Sequence, residues 1–246
     1  MSGTQDGLTQ MENSNTISVI IAALNEEQNL AGTVETVSDV AGEYFDAVEL
    51  LIFNDGSNDK TGEIAEALKT KYENVRVFHH TIPHNLGGVF KEGLKQARMH
   101  YCILVNGKND KTPDGLRLIF SHRGKADLVI PYVTNMRQRA WSRRFLSKAF
   151  TVLVNTIFGL RIHYYNDSVL HSRKEVAAIR IRTVSYAFQA EALIKRIKAG
   201  ASYIEVGMED RYEKGVATKA FSLNNLLGVP RFLLWTIWDV FLKPKK

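Results

Sequence analysis

Short β-branched and aliphatic runs alternate with stretches of helical periodicity along the first half of this chain, and that alternation decides what it can fold into. Residues 17–23 and 48–53, which include Ile17, Val19, Ile20, Ile21, Val48, Leu51 and Ile52, read as buried strands. Residues 61–72 place Ile64, Ala65, Leu68 and Tyr72 at helical spacing. Residues 75–78 form the next strand, Asn85 to Gly88 opens a helix, and residues 101–105 are a strand. Pro113 then starts a helix at a position that suits proline, and residues 126–131 make a fifth strand. Strand and helix in strict alternation predict an α/β fold: a Rossmann-like, mostly parallel sheet flanked by helices.

The pattern changes after Pro131. Residues 137–158 read as one basic amphipathic helix, with Trp141, Phe145, Ala149, Leu153 and Ile157 on one face. A loop with Asn166 and Asp167, a short helix, a helix over 187–199 and a strand over 202–206 follow. A polar loop over 210–219 then leads to a C-terminal amphipathic helical extension. The expected organisation is a flexible polar tail at 1–16, one domain at 17–220, and the terminal helix at 221–246.

Those ends carry different information. Residues 1–16 have neither the basic start nor the apolar stretch of a signal peptide. The segment after Pro230 carries Trp235, Trp238 and bulky aliphatics and ends in lysines, but Asp239 interrupts it. It is too short to span a bilayer. It suits an interfacial helix, or equally one docked on the core or on a second copy of the chain, which would make a homo-oligomer. The single cysteine, Cys102, allows no internal disulfide and fits a reducing, cytoplasmic setting. Thirty-two basic against 26 acidic residues leave a net charge of +6, which suits an anionic partner. Basic residues interleave with acids and form no nucleic-acid motif, so no nucleic acid is expected.

In open parallel sheets ligands collect at the carboxyl ends of strands. Three loops there are unusually polar: Asn25-Glu26-Glu27, Asn54 to Asp59, and Asn106 to Asp110. In the first, Asn25 is expected to cap the helix that follows. No G-x-G-x-x-G follows the first strand and no P-loop is present, which argues against dinucleotides. Asp55 could accept from a nucleobase N–H or ribose hydroxyls. Gly87 and Gly88 open a helix and suit either phosphate binding or close packing. His79, His80 and His84 lack a neighbouring cysteine or a paired carboxylate pattern and are not read as a metal site.

Taken in order, Ser18 to Glu26, Asn54-Asp55-Gly56-Ser57-Asn58-Asp59 and Asn85-Leu86-Gly87-Gly88 resemble family 2 glycosyltransferases of the GT-A fold. The nearest subgroup is the polyprenol-phosphate type, similar to dolichol-phosphate mannosyltransferases. Residues 185–191, Glu205-Val206 and residues 211–219 are similar to that subgroup's C-terminal signature. The resemblance implies transfer of a sugar, with inversion, from a nucleotide-sugar donor to a polyprenyl phosphate or another lipid or glycan acceptor. It places the work at the cytoplasmic, inner face of a membrane as a peripheral contact. Donor-binding residues would be Ala23, Asn25, Glu26, Asn54, Asp55, Ser57, Asn85, Gly87, Asn106, Gly107 and Lys108.

In that family an Asp-x-Asp motif at the end of the fourth strand holds Mg²⁺ or Mn²⁺ on the diphosphate. Here the position reads Asn106-Gly107-Lys108. Hard cations want carboxylate oxygens, and a lysine repels them. Three readings stay open: Lys108 replaces the metal, Asp110 or Asp114 supplies a displaced ligand, or the chain binds a nucleotide sugar without catalysis. On the acceptor side, Arg137, Arg139, Arg143, Arg144, Gln189, Arg211 and Lys219 are the candidates, because a guanidinium fork matches a phosphate. Lys108, Glu191 and Arg211 are the candidate catalytic residues. Glu191 would be a base for a hydroxyl acceptor, or else a carboxylate that orders the acceptor loop. Ser168 stands where the family has glycine, within the segment Tyr164 to Val169.

Overall fold

A computed structural model describes residues 15–211 and 223–242. Seven strands form one sheet in the order β3-β2-β1-β4-β6-β5-β7. The first four are β1 (Thr16–Ala23), β2 (Ala47–Asp55), β3 (Val75–His80) and β4 (Tyr101–Asn106). They are mutually parallel and joined by α1 (Leu30–Gly42), α2 (Thr61–Lys71) and α3 (Leu86–Gln96). After α4 (Pro113–Ser121) come β5 (Leu128–Val133), β6 (Leu170–Ser172) and β7 (Tyr203–Met208). The expected α/β architecture is the one observed.

Burial explains the order. Every residue of β1 is buried, and alternate side chains enter opposite faces. Ile17, Val19 and Ile21 join a core with α1 and α4, while Ile20 and Ala22 join a second core with α3. A strand covered on both faces reads as a continuous apolar run, and that is why it stood out.

Several expectations need correction. The strand foreseen at 126–131 lies at Leu128–Val133, and the first strand starts at Thr16, inside the segment assigned to the tail. β6 was not foreseen, because three residues carry no readable period; it pairs antiparallel with both β4 and β5. The helix at 137–158 is broken into a 3₁₀ turn at Met136–Gln138 and α5 (Trp141–Phe158). α5 buries Val154 and Phe158, whereas Trp141 and Phe145 on its apolar row are 74% and 70% exposed.

A short α6 (Arg173–Ala177) follows β6, and the third core lies under α5, α7 (Phe188–Lys198) and α8 (Leu223–Ile237), which ends in a π-helical turn at Trp238–Leu242. The terminal helix is therefore docked on its own core. Phe232 and Thr236 are buried, Phe158 stacks on Phe241, and Asp239 bonds Arg182 and Lys195. Its other face exposes Leu234, Trp238 and Leu242. Among the described residues no helix is long and apolar enough to cross a membrane.

Candidate active site

The loops after β1 and β2 are zipped together. Asn25 adopts a left-handed φ of 58°, and its side-chain oxygen accepts the Asn58 N–H at 2.9 Å. Ser57 Oγ accepts the Asn25 N–H at 3.0 Å and Thr61 Oγ1 the Glu26 N–H at 2.7 Å. Asn25 thus does not cap α1, whose N-cap is Asn29; it fixes one loop against the other.

The end of β2 organises the next loop. Asn54 accepts the Ser57 N–H, and its amide contacts His79 Nδ1. Asp55 is buried and accepts the N–H groups of His84 at 2.7 Å and Asn85 at 2.9 Å, while His80 Nδ1 lies 2.6 Å from Oδ1. Three of about four carboxylate lone-pair directions are engaged. Asp55 is thereby a loop anchor that sets Asn85, itself at φ 61°, and the start of α3. Gly87 is required there, since a Cβ would lie 2.6 Å from the Thr183 carbonyl oxygen.

β4 ends against β1. Gly107 donates to the Ala22 carbonyl at 2.8 Å, and a Cβ on Gly107 would lie 3.1 Å from that of Ala23. This brings Ala23, Asn106 and Gly107 together and sends Lys108 outward. Its ammonium lies 2.9 Å from Asp110 Oδ2, the lysine side chain 44% exposed and the aspartate 13%. Burial would raise the Asp110 pKa, but Lys111 and Lys108 outweigh it and hold the carboxyl below its ordinary value. Asp110 Oδ1 is buried with no hydrogen-bond partner among the described residues. Arg211 closes the loop: its N–H donates to the Asp110 carbonyl at 2.8 Å and its guanidinium to Asn109 Oδ1 at 2.7 Å.

Beneath this lies a network the sequence did not reveal. Lys111 is buried and donates to Asp167 Oδ1 at 2.5 Å and Asp210 Oδ1 at 2.7 Å. Arg139 binds the other Asp210 oxygen at 3.0 Å and the Tyr164 hydroxyl at 3.1 Å. Burial alone would pull the Lys111 pKa down; Asp167, Asp110 and Asp210 push it above the ordinary lysine range. The residues are 56 and 99 positions apart, so only the fold brings them together. No local signal marks Asp167 or Asp210 as a partner of Lys111.

The remaining candidates divide. Arg137 and Arg144 are exposed near the start of α5, and Arg143 is half-buried. Gln189 does not reach the site: it is buried and its amide contacts His171 Nε2 at 3.0 Å. Burial lowers the His171 pKa to about 3, so the ring is neutral and accepts. Glu191 is buried too, accepting the N–H groups of Arg182 and Thr183 and the Lys195 ammonium at 2.6 Å. Burial pushes its pKa up, but those donors outweigh it and hold it below the ordinary value. A low-pKa carboxylate with both oxygens engaged is a poor base and a good loop clamp. Lys219 lies outside the described residues.

The donor set at the end of β4 does not match a hard divalent cation. Asn106 offers an amide, Lys108 an ammonium, and Asp110 one oxygen beside that ammonium. Mg²⁺ asks for octahedral oxygen. Asp114 does not help, since its side chain is 93% exposed and pairs with Arg117.

Comparison with known proteins gives the family. The profile of "Glycosyl transferase family 2" matches residues 18–147, more than half of the chain. The chain belongs to glycosyl transferase family 2. Polyprenol monophosphomannose synthase of Mycolicibacterium smegmatis is 30% identical over 76% of this chain and 74% of its own length. Dolichol-phosphate mannosyltransferase of Pyrococcus furiosus is 26% identical over 73% of this chain, which spans only 52% of that relative. In fold, this glycosyltransferase is similar to glucosyl-3-phosphoglycerate synthase from Mycobacterium tuberculosis. The TM-score is 0.68 at 17% identity, covering 94% of this chain and 80% of that one. That synthase was crystallised with Mn²⁺, UDP and phosphoglyceric acid.

Proposed function

We propose that this glycosyltransferase moves a sugar from a nucleotide-sugar donor to the phosphate oxygen of a polyprenyl phosphate, with Lys108 in the place of a divalent ion. The observation that carries this reading is the Lys108–Asp110 pair at the carboxyl end of β4, the switch point of the sheet. The donor diphosphate would sit over Ala23, Asn106 and Gly107. The Lys108 ammonium would meet the negative charge that develops on the diphosphate as the anomeric carbon–oxygen bond breaks. The base would lie towards Asn25, Glu26, Asn54 and Ser57, in the groove that Asp55 and Asn85 shape.

The acceptor phosphate is already ionised near neutral pH, so its oxygen attacks without a base, from the face opposite the leaving group, and inverts the centre. Arg211 is the best-placed acceptor ligand, because it touches the loop of Asp110 and Lys108. Arg137, Arg143 and Arg144 supply positive charge at the start of α5. The exposed apolar row of α5 and the bare face of α8 belong to neighbouring helices, Phe150 lying near Phe232. They would rest on the lipid surface that holds the acceptor. The names of the polyprenol- and dolichol-phosphate relatives support this acceptor class.

The test incubates the purified chain with a panel of nucleotide sugars and a short polyprenyl phosphate, with EDTA, Mg²⁺ or Mn²⁺. Turnover that persists in EDTA is expected. Turnover lost in EDTA and restored by Mn²⁺ overturns the role of Lys108. Donor binding without any turnover overturns the transfer reading and leaves a binding protein.

A further inference from the structure

Asn109 stands between Arg211 and the turn that carries Lys108. Its backbone takes a left-handed φ of 54°, which asparagine tolerates better than most residues. Its Oδ1 accepts the Arg211 guanidinium at 2.7 Å, and the Asp110 carbonyl next to it accepts the Arg211 N–H at 2.8 Å. Two consecutive residues thus grip one arginine by side chain and backbone. On the other side the Asn109 amide lies against α1. A Cβ on Gly32 would be 2.7 Å from its Nδ2, so glycine at that position leaves the room it needs. The following residue, Thr33, donates its hydroxyl to the Gly107 carbonyl at 2.9 Å. α1 therefore ties the turn down at Gly107 and makes space for it at Asn109.

The chemistry of the holding group matters. Arg211 is exposed, and a guanidinium engaged at one N–H keeps other donors for an incoming phosphate. An amide oxygen fixes that group without cancelling its charge. A carboxylate in the same place would form an ion pair that a phosphate has to displace. A free arginine loses its rotamer freedom on binding, whereas one already held has lost it beforehand.

We propose that Asn109 is a positioning residue for the acceptor phosphate: it aims the Arg211 guanidinium beside the Lys108 turn, and Gly32 keeps the space it occupies. The inference rests on the reading of Arg211 as an acceptor ligand and adds what orients it. It also puts both substrates on one turn, with Gly107 and Lys108 on the donor side and Asn109 on the acceptor side. Nothing local in the sequence joins Asn109 to Arg211, which stand 102 positions apart.

The test titrates the full chain with geranyl phosphate by calorimetry, which reads binding and needs no turnover. Arg211→Ala and Asn109→Gly should each weaken binding by about tenfold, glycine being chosen because it keeps the left-handed backbone. The double variant should bind no more weakly than Arg211→Ala alone, because Asn109 acts through that arginine. Gly32→Ala should also weaken binding, while its Tm stays level or rises, since alanine suits a helix better than glycine. A purely structural role would lower affinity and Tm together. Losses that add in the double variant overturn the proposal, as does full affinity in Asn109→Gly or Gly32→Ala. Failure of the parent chain to bind geranyl phosphate overturns the acceptor reading and this proposal with it.

Discussion

Lys108 and Asp110 face each other at 2.9 Å across a single residue, on the turn that leaves β4. The turn is narrow because Gly107 is pressed on Ala22 and Ala23, so the side chain after it must project away from the sheet. A carboxylate neutralised by its neighbour's ammonium is a weak ligand for a hard cation. It does hold that ammonium in place. Asp110 is in turn fixed by burial and by the charge of Lys111. The turn therefore presents an oriented ammonium at the carboxyl end of β4.

Replacing Lys108 tests that orientation. Lys108→Ala should lower kcat by about 10²- to 10³-fold, the usual cost of removing one preorganised charge stabiliser, with a much smaller change in donor affinity. Steady-state kinetics beside calorimetric titration of the nucleoside diphosphate separates the two. Equal losses in both would mean that the lysine merely binds.

The buried network under the turn predicts a stability effect. Lys111→Met strands Asp167 and Asp210 without their shared cation. Removing one member of a buried ionic cluster costs about 3–5 kcal/mol. For a domain of this size that lowers Tm on the order of 10 °C. Thermal unfolding by circular dichroism reads it. A shift near zero would mean that solvent reaches the cluster.

What was legible in the sequence follows from range. The strands of the parallel half announce themselves because both faces are buried, as the full burial of β1 illustrates. The loop residues Asn25, Asn54, Asp55 and Lys108 were legible because polar groups crowd the ends of those strands. Lys111, Asp167 and Asp210 were not, since nothing local marks partners so far apart. Gln189 and Glu191 sit in the matched block, yet they serve His171 and the segment at residues 182–183. A motif position reveals that a residue is needed and not whether it faces substrate. The same holds for α5: amphipathic spacing puts Trp141 and Phe145 on one face and does not say what that face meets.

Acid should loosen the C-terminal helix before the sheet. Hydrogen bonding from Arg182 lowers the Asp239 pKa to about 2, from an ordinary 3.8, and Glu191 beside the same Lys195 is also held low. A carboxylate depressed on folding contributes stability above its unfolded pKa and loses it as pH falls through the folded one. Hydrogen exchange in α8 should therefore rise between roughly pH 4 and pH 2, ahead of exchange in β1. Asp239→Asn should show fast exchange in α8 already at neutral pH. Exchange that rises together in both elements would refute local release.

The last expectation concerns the bare face of α5. Trp141 and Phe145 are 74% and 70% exposed, with Val152 and Leu153 further along the helix. Four apolar side chains held in water beside basic residues contribute little to folding, so their replacement should leave Tm nearly unchanged. Inserted into the headgroup region they gain area burial, about 1.5–3 kcal/mol for a large side chain fully removed from water. Trp141→Ser or Phe145→Ser should then weaken binding to anionic phosphatidylglycerol vesicles by roughly tenfold each. Binding of the parent chain should weaken with salt, since Arg137, Arg144 and Lys148 supply a screened attraction. Co-sedimentation with vesicles across a salt series measures both effects. Unaltered sedimentation of the serine variants would move the contact to the exposed Trp238 and Phe241 of the C-terminal segment, where the same substitutions can be made.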